Sequence, residues 1–236
     1  MARIVKEEEY AEKRNAILAA TQRLVFTKGY EQMTIQDILD NLQISKGAFY
    51  HYFDSKQAAL EGLIAQMIEE MQQLLLPVVR DPALSALEKL RRFFGTLNQW
   101  KIGQKELMLA LARVWYADNN IIVRQKLLAA RETCLLPLLT EIIQQGVQEG
   151  TLATAFPEEA GGVVLALVQV LGETFGGLLF SLASDQADIS RLERLIAAYS
   201  DALERVLGAP AGSLMLMDTQ TIAEWYALPP HADFSN

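Results

Sequence analysis

The chain has 236 residues, of which 51% are hydrophobic and 21% charged, and its formal net charge is −8 at pH 7. This composition excludes an intrinsically disordered protein and predicts a compact protein with a sizeable core. The content of only 7 prolines, together with long runs rich in Leu, Ala, Gln and Glu, favours helices.

The expected compartment follows from three features. The single cysteine, Cys134, cannot form an internal disulfide, which favours a reducing cytosol. The start of the chain, MARIVKEEEYAEKR, lacks an apolar core of signal-peptide length. Residues 160–183 are long enough to cross a bilayer, but Gln169 and Glu173 interrupt them, so we expect a helix buried on most sides within a soluble protein. The sequence thus predicts a cytoplasmic protein without a membrane partner.

The first predicted helix ends at a glycine. Between residues 10 and 28, the apolar Ile17, Leu18 and Val25 fall on one helical face, and Gly29 follows as a stop. Thr34 stands at the start of a second, short helix, where it can act as the N-cap.

A third short helix is predicted to begin at Ser45, which can act as its N-cap, and Phe49 and Phe53 point inward from it at i and i+4. Asp54 and Ser55 offer a cap for a fourth helix. Two short helices joined by a tight turn and packed on a longer helix form a helix-turn-helix, in which the second short helix enters the major groove of DNA.

The stretch SKGAFYHYFDSK, residues 45–56, carries four aromatic residues and two lysines in an acidic chain. Gly47 would cost a helix about 1 kcal/mol relative to alanine, so it indicates close approach to another surface. The residues expected to face outward are Lys46, Gly47, Ala48, Tyr50, His51 and Tyr52. Small residues fit between groove walls, tyrosine hydroxyls suit phosphate oxygens and lysine suits a guanine edge or a phosphate. Each residue alone is more simply explained as a half-buried tyrosine or a solvated side chain; together and in this order they indicate DNA binding.

The charge divides unevenly along the chain. Residues 1–60 hold eight Lys/Arg and eight Asp/Glu, so the remaining 176 residues account for the whole net charge of −8. The first sixty residues are therefore the part that can approach a polyanion, although they lack a broad basic surface.

The rest of the chain is predicted to be helical, with no strand-like alternation. Helices are expected over 84–101, 104–117, 120–149, 158–183 and 188–207. The tail from Ala209 is expected to be irregular apart from a short helix around Thr221 to Tyr226.

The chain resembles the TetR family of bacterial transcriptional repressors. The resemblance rests on TIQDILDNLQISKGAFYHYFDSKQAAL, residues 34–60, on the first helix with Phe26, Gly29 and Tyr30, and more weakly on residues 137–161. It implies an all-α, two-domain chain that dimerises on a DNA operator and releases it when a small molecule binds. The implied domains are a helix-turn-helix domain (1–56), a regulatory helical domain (57–208) and a C-terminal tail (209–236).

Carried over by position, the resemblance makes Ser45 the helix cap, places Lys46, Gly47 and Ala48 at the base edges and sets Tyr50, His51 and Lys56 at phosphates. Thr34 and Gln36 complete the expected DNA-binding set. Two departures from the family pattern concern glutamines. Gln43 stands where a glycine is usual, which predicts a left-handed non-glycine residue, and Gln36 replaces a common basic residue.

The larger domain is expected to hold the effector pocket and the dimer interface. The candidate effector-binding residues are Trp100, Arg113, Trp115, Gln169 and Glu173. They combine aromatic surface with sparse polar groups, as small-molecule sites do, although ordinary core packing explains each residue equally well. The helices near 158–183 and 188–207 are the candidate homodimer contact, and an internal core explains the same pattern.

Two other classes of protein fit the sequence less well. An enzyme is not expected, because the two histidines lie far apart and no metal-binding spacing, phosphate loop or catalytic triad is present in the sequence. No cofactor and no metal are therefore predicted. A helical protein-interaction adaptor without DNA binding is the remaining alternative.

Overall fold

The computed structural model describes residues 2–116, 121–181 and 186–226, and within these ranges the side chains of 8–111, 124–126, 128–178 and 190–226. The regular elements in these ranges are all helices. They are α1 (Ala2–Lys28), α2 (Ile35–Leu42), α3 (Lys46–Tyr50), α4 (Lys56–Arg80), α5 (Ala86–Gly103), α6 (Lys105–Tyr116), α7 (Ile121–Glu149), α8 (Pro157–Ser181), α9 (Gln186–Leu207) and α10 (Thr219–Tyr226). The predicted all-α fold class is confirmed.

The chain forms two compact units. The first comprises Met1–Glu69 and Gln104–Ala130, and the second comprises Glu70–Gly103 and Arg131–Asn236. The first unit thus extends past residue 56, where the sequence placed its domain boundary, because the first half of α4 packs within it. It also takes in α6, which packs against α1.

In the first unit, α2 packs on α1 and α3 packs on α2. The predicted inward face of α1 is buried, with Ile17 and Leu18 at 1% and 0% exposure. Phe49 and Phe53 are buried as well, as predicted from their spacing. Phe49 and Phe53 therefore close the core of this unit.

The turn between α2 and α3 is determined by local contacts. The Thr34 hydroxyl accepts from the Asp37 backbone N–H while the Asp37 carboxylate accepts from the Thr34 backbone N–H, which is a full capping box. Gln43 ends α2 with φ 52° and ψ 42°, so the predicted left-handed non-glycine residue is confirmed. Ser45 then caps α3 by accepting from the Ala48 N–H at 3.2 Å.

In the second unit, α8 packs on α9, and α10 packs on α5 and α9. The segment between α9 and α10, expected to be irregular, is held by polar contacts. Glu204 on α9 accepts from the backbone N–H groups of Gly212 and Leu214 at 2.9 and 2.7 Å. Asn98 on α5 donates to the Leu216 carbonyl at 2.6 Å.

Helix α8 is less buried than the sequence predicted. By length and composition Pro157–Leu178 could cross a membrane, but the core helices of soluble proteins often have the same length and composition. Only 28% of its most apolar window is buried. The expectation of a helix buried on most sides is therefore not met within the single chain. Its exposed face is apolar, with Val163 and Val170 at 43% and 49% exposure.

Candidate nucleic-acid interface

Helix α3 turns one face to the core and the other to solvent. Phe49 is fully buried, whereas Tyr50 is 43% exposed. The predicted interface residues Ser45, Lys46, Gly47 and His51 are also exposed, and Ala48 is half-buried between them. The structure therefore brings the predicted reading residues of α3 onto one accessible surface.

Lys46 and Tyr50 form the centre of this surface. The Lys46 ammonium lies 5.9 Å from the centroid of the Tyr50 ring, one helical turn away. Among the described residues, no hydrogen bond or salt bridge engages this ammonium. Neighbouring cations differ, since Lys28 pairs with Asp37 and Arg23 donates to Asn41. Lys46 is thus a cation whose hydrogen-bond donors are available to an external partner.

Gly47 has no packing reason to be glycine. A Cβ built on it would meet only the Ser45 hydroxyl oxygen, at 3.9 Å. At Gly62 on α4, in contrast, a Cβ would lie 2.8 Å from the Phe53 ring and 3.2 Å from the Leu18 side chain. Gly62 is therefore required by the core, whereas the missing side chain of Gly47 faces outward, where a close-fitting surface would make use of it.

Lys56 lies at a different kind of contact from the one expected. Its ammonium donates to the carbonyl oxygens of Tyr30 and Met33 at 2.9 and 3.0 Å, with Glu31 at 3.4 Å, and it lies 4.4 Å from the Tyr30 ring centroid. These carbonyls belong to the loop between α1 and α2. The ammonium that was expected at phosphate therefore joins the start of α4 to this loop.

Thr34 and Gln36 are exposed at the start of α2. The Gln36 amide donates to Asp40 at 2.7 Å on its own helix. Beside them, hydrogen bonds from Lys28 and then from Thr34 lower the pKa of Asp37 to about 2, so its carboxylate stays ionised at the positive end of α2.

Tyr10 is a neighbour of this surface that the sequence analysis did not select. Its ring lies 4.7 Å from the Tyr52 ring and 5.7 Å from the His51 ring, between centroids. Tyr10 precedes the apolar stripe of α1 and is 42% exposed, so its spacing carried no signal. Through these rings, α1 contacts the residues that follow α3.

The structure describes the side chains of three of the five predicted effector residues. Trp100 on α5 is half-buried, and on α8 the Gln169 amide donates to the Glu173 carboxylate at 3.3 Å. The side chains of Arg113 and Trp115 lie outside the described residues. The structure thus places Gln169 and Glu173 together and leaves the composition of the whole set a prediction.

A capped helix-turn-helix with a solvent-facing second helix defines a DNA-binding protein of the helix-turn-helix class. Residues 17–63 match the family model of bacterial regulatory proteins of the tetR family. The chain is also 35% identical over 232 residues to YerO of Bacillus subtilis strain 168, an uncharacterized HTH-type transcriptional regulator, covering 92% of this chain and 79% of YerO. The chain therefore belongs to the TetR family and is a transcriptional regulator.

A more distant relative is DhaR of Mycobacterium sp. strain GP1, an HTH-type transcriptional repressor, at 24% identity over 125 residues, 53% of this chain and 62% of DhaR. With two other curated relatives the alignment spans only 31% and 43% of the relative's length. Among solved structures, Escherichia coli NemR in its reduced form superposes with a TM-score of 0.56 at 20% identity, covering 85% of this chain and 99% of NemR. That likeness shows the fold.

Proposed function

We propose that this chain is a cytoplasmic, ligand-responsive repressor that binds a palindromic operator as a homodimer. The observation that carries the proposal is the exposed face of α3, where the unengaged Lys46 ammonium adjoins a glycine that the core does not require. In this proposal Lys46, Gly47 and Ala48 meet base edges, while Tyr50 and His51 meet phosphates. Ser45 and Thr34 cap the starts of α3 and α2, which face the DNA, and Gln36 lies beside the DNA backbone.

Lys56 has a positioning role in this proposal. Its three carbonyl contacts hold the loop between α1 and α2 against the start of α4. The free N–H groups at the start of α4 can then approach a phosphate in a defined orientation. Loss of Lys56 weakens binding to every sequence alike, whereas loss of Lys46 also relaxes the sequence preference.

The dimer is proposed to form through α8, with α9 beside it. A stripe of small and apolar residues runs along the exposed side of α8 at spacings of three and four. Its members are Val163, Ala166, Val170, Thr174 and Gly177. A Cβ on Gly177 would meet nothing within 4 Å, so this end of the stripe is open to close approach by a second helix. A twofold dimer would present two α3 helices about 34 to 36 Å apart on one face of DNA.

Release of the operator is proposed to follow a shift between two populations of the dimer. An effector that binds the DNA-incompetent state better than the competent state lowers operator affinity by that difference alone. A thousandfold fall in affinity needs about 4 kcal/mol of such coupling. The DhaR relative, a repressor by name, supports repression as the direction of control.

The proposal is tested by selecting bound duplexes from a random pool with the full chain. We expect a palindrome with half-sites one helical turn apart. Titration of the selected duplex and a scrambled one should then separate the two lysines. Lys46→Ala is expected to lose about tenfold or more on the selected duplex and less on the scrambled one, and Lys56→Ala is expected to lose equally on both. Equal behaviour of the two variants would contradict these roles, and absence of any duplex binding would favour the adaptor alternative.

The dimer is tested separately. Val170→Arg puts a charge into the α8 stripe and is expected to give a monomer that binds the operator poorly, as measured by sedimentation and gel shift. Arg92→Ala, an exposed change on α5, serves as the control. A dimeric Val170→Arg protein would rule out this interface.

A further inference from the structure

Three aromatic side chains form a cluster where α1 meets the end of α3. The Tyr10 ring lies 4.7 Å from the Tyr52 ring and 5.7 Å from the His51 ring, and the rings of His51 and Tyr52 lie 5.0 Å apart, all between centroids. Both pairs that include His51 meet edge to face, at 79° and 83°. Aromatic rings at these distances and angles attract one another. Each ring of this aromatic cluster is therefore held by the other two.

The aromatic cluster lies at the surface of the first unit. Tyr10 is 42% exposed, His51 is exposed and Tyr52 is half-buried. Among the residues that the structure describes, no hydrogen bond engages the two tyrosine hydroxyls or the ring nitrogens of His51. The ring contacts thus hold these side chains in place while their polar atoms stay available to an external hydrogen-bond partner.

The backbone of His51 is fixed as well. Its N–H donates to the Gly47 carbonyl at 3.1 Å, and its φ of −71° and ψ of −24° continue the helical conformation at the end of α3. One turn beyond Tyr10 on α1, the Arg14 guanidinium lies 5.3 Å from the centroid of the Phe53 ring. Helix α1 thus contacts three consecutive residues, 51 to 53, from two positions one turn apart. With the backbone held in this way, the ring contacts are what orient the His51 side chain.

We propose that Tyr10 is a positioning residue for operator binding. Its ring holds the His51 imidazole, directly and through Tyr52, in the orientation that meets a phosphate. The inference rests on the DNA-binding role proposed above, in which His51 contacts the DNA backbone. A side chain that is already ordered in the free protein loses less conformational entropy on binding. The contribution of Tyr10 therefore passes through His51 and requires no contact between Tyr10 and DNA.

A double-mutant cycle on the selected duplex tests this route. Tyr10→Ala is expected to weaken operator affinity by about three- to tenfold, and His51→Ala by at least as much. Because both changes act on one contact, the double variant is expected to lose no more than His51→Ala alone. Tyr10→Phe keeps the ring and loses only the hydroxyl, so we expect it to bind as the unchanged chain does.

The matched control is Phe26→Ala. Phe26 is another exposed ring of α1, at 51%, and no ring contact joins it to another described side chain. Operator affinity is expected to stay unchanged in this variant. Chemical unfolding shows whether each variant is folded, and Tyr10→Leu, which keeps much of the apolar bulk, replaces Tyr10→Ala if that variant is not.

The free protein gives a second readout that overall stability does not mimic. Neighbouring rings shift the NMR signals of the His51 ring protons, so these signals are expected to move in Tyr10→Ala and to stay in place in Phe26→Ala. Unmoved signals in Tyr10→Ala would show that Tyr10 does not orient His51, and would overturn the inference without any DNA present.

Three results of the operator titration would also overturn the inference. The Tyr10→Ala loss could persist in full when residue 51 is already alanine, or Tyr10→Phe could lose as much as Tyr10→Ala, which would make the hydroxyl a direct contact. Full affinity in either single alanine variant is the third. In each case the unchanged chain still binds the operator, so the DNA-binding role stands. An unchanged chain that binds no duplex would instead overturn the DNA-binding role, and with it any part that Tyr10 has in operator binding.

Discussion

The helix-turn-helix and the C-terminal segment, residues 209–226, differ in the range of their contacts. In the helix-turn-helix the capping contacts join residues three apart, as with Thr34 and Asp37 or Ser45 and Ala48. The C-terminal segment has one such local cap, between Asp218 and Thr221, but its contacts with α5 join residues 118 and 122 apart, from Asn98 to Leu216 and from Arg91 to Ser213. Local contacts are enough to specify the helix-turn-helix from a short stretch of sequence. The path of the C-terminal segment depends instead on contacts with residues distant in the sequence.

The largest expected effect is in the C-terminal segment. Glu204→Ala leaves the backbone N–H groups of Gly212 and Leu214 without their acceptor, and hydrogen bonds to a charged group contribute about 1.5 to 3 kcal/mol each. We expect the free energy of unfolding to fall by about 3 kcal/mol or more in urea. Asp201→Ala removes a surface pair with Arg205 on the same helix and is expected to cost less than about 1 kcal/mol. If the two variants lose similar free energy of unfolding, the Glu204 hydrogen bonds do not hold the C-terminal segment in place.

The next largest effect separates core from interface within the first unit. Gly62→Ala forces a methyl group against the Phe53 ring, and overpacking of about 1 to 3 kcal/mol outweighs the gain of about 1 kcal/mol in helix propensity. Gly47→Ala has room for its methyl group, so stability is expected to rise by up to about 1 kcal/mol while operator affinity falls tenfold or more. Thermal unfolding and operator titration measure the two. A Gly47→Ala variant with full affinity would show that this glycine does not face DNA.

A smaller effect tests the turn itself. Gln43→Gly relieves a left-handed non-glycine conformation and is expected to raise the free energy of unfolding by about 1 kcal/mol. Gln22→Gly, within α1, is the matched change of opposite sign and is expected to lower it by about 1 kcal/mol. Denaturant unfolding of both variants measures these changes. A lower free energy of unfolding in Gln43→Gly would contradict the idea that Gln43 is strained.

The smallest effect is a pH dependence at the capping box. The pKa of Asp37 is about 2 in the folded chain and 3.8 when unperturbed. Its carboxylate therefore adds stability that is fully present above pH 3.8 and is lost as the pH falls towards 2. Asp37→Asn is expected to lower the unfolding temperature near pH 6 and to match the unchanged chain near pH 2. A difference that stays constant across this range would exclude the ionised carboxylate as its cause.

The sequence by itself determined the helix-turn-helix. Capping residues act on N–H groups two or three positions away, so Thr34 and Ser45 could be recognised from their neighbours alone. The left-handed Gln43 followed instead from the resemblance, since a glycine is usual at that position of the family pattern. The inward pair Phe49 and Phe53 followed from helical spacing for the same reason. Once Phe49 and Phe53 were assigned to the core, the other side chains of α3 were expected to face solvent.

Only the tertiary structure decided which charged groups are already engaged. It joined Lys56 to three carbonyls of a loop more than twenty residues earlier and gave Glu204 its two backbone donors. It also left an apolar face of α8 exposed. The sequence shows a lysine as a cation wherever it occurs, and its partner depends on which distant backbone or side-chain atoms packing brings within hydrogen-bond reach.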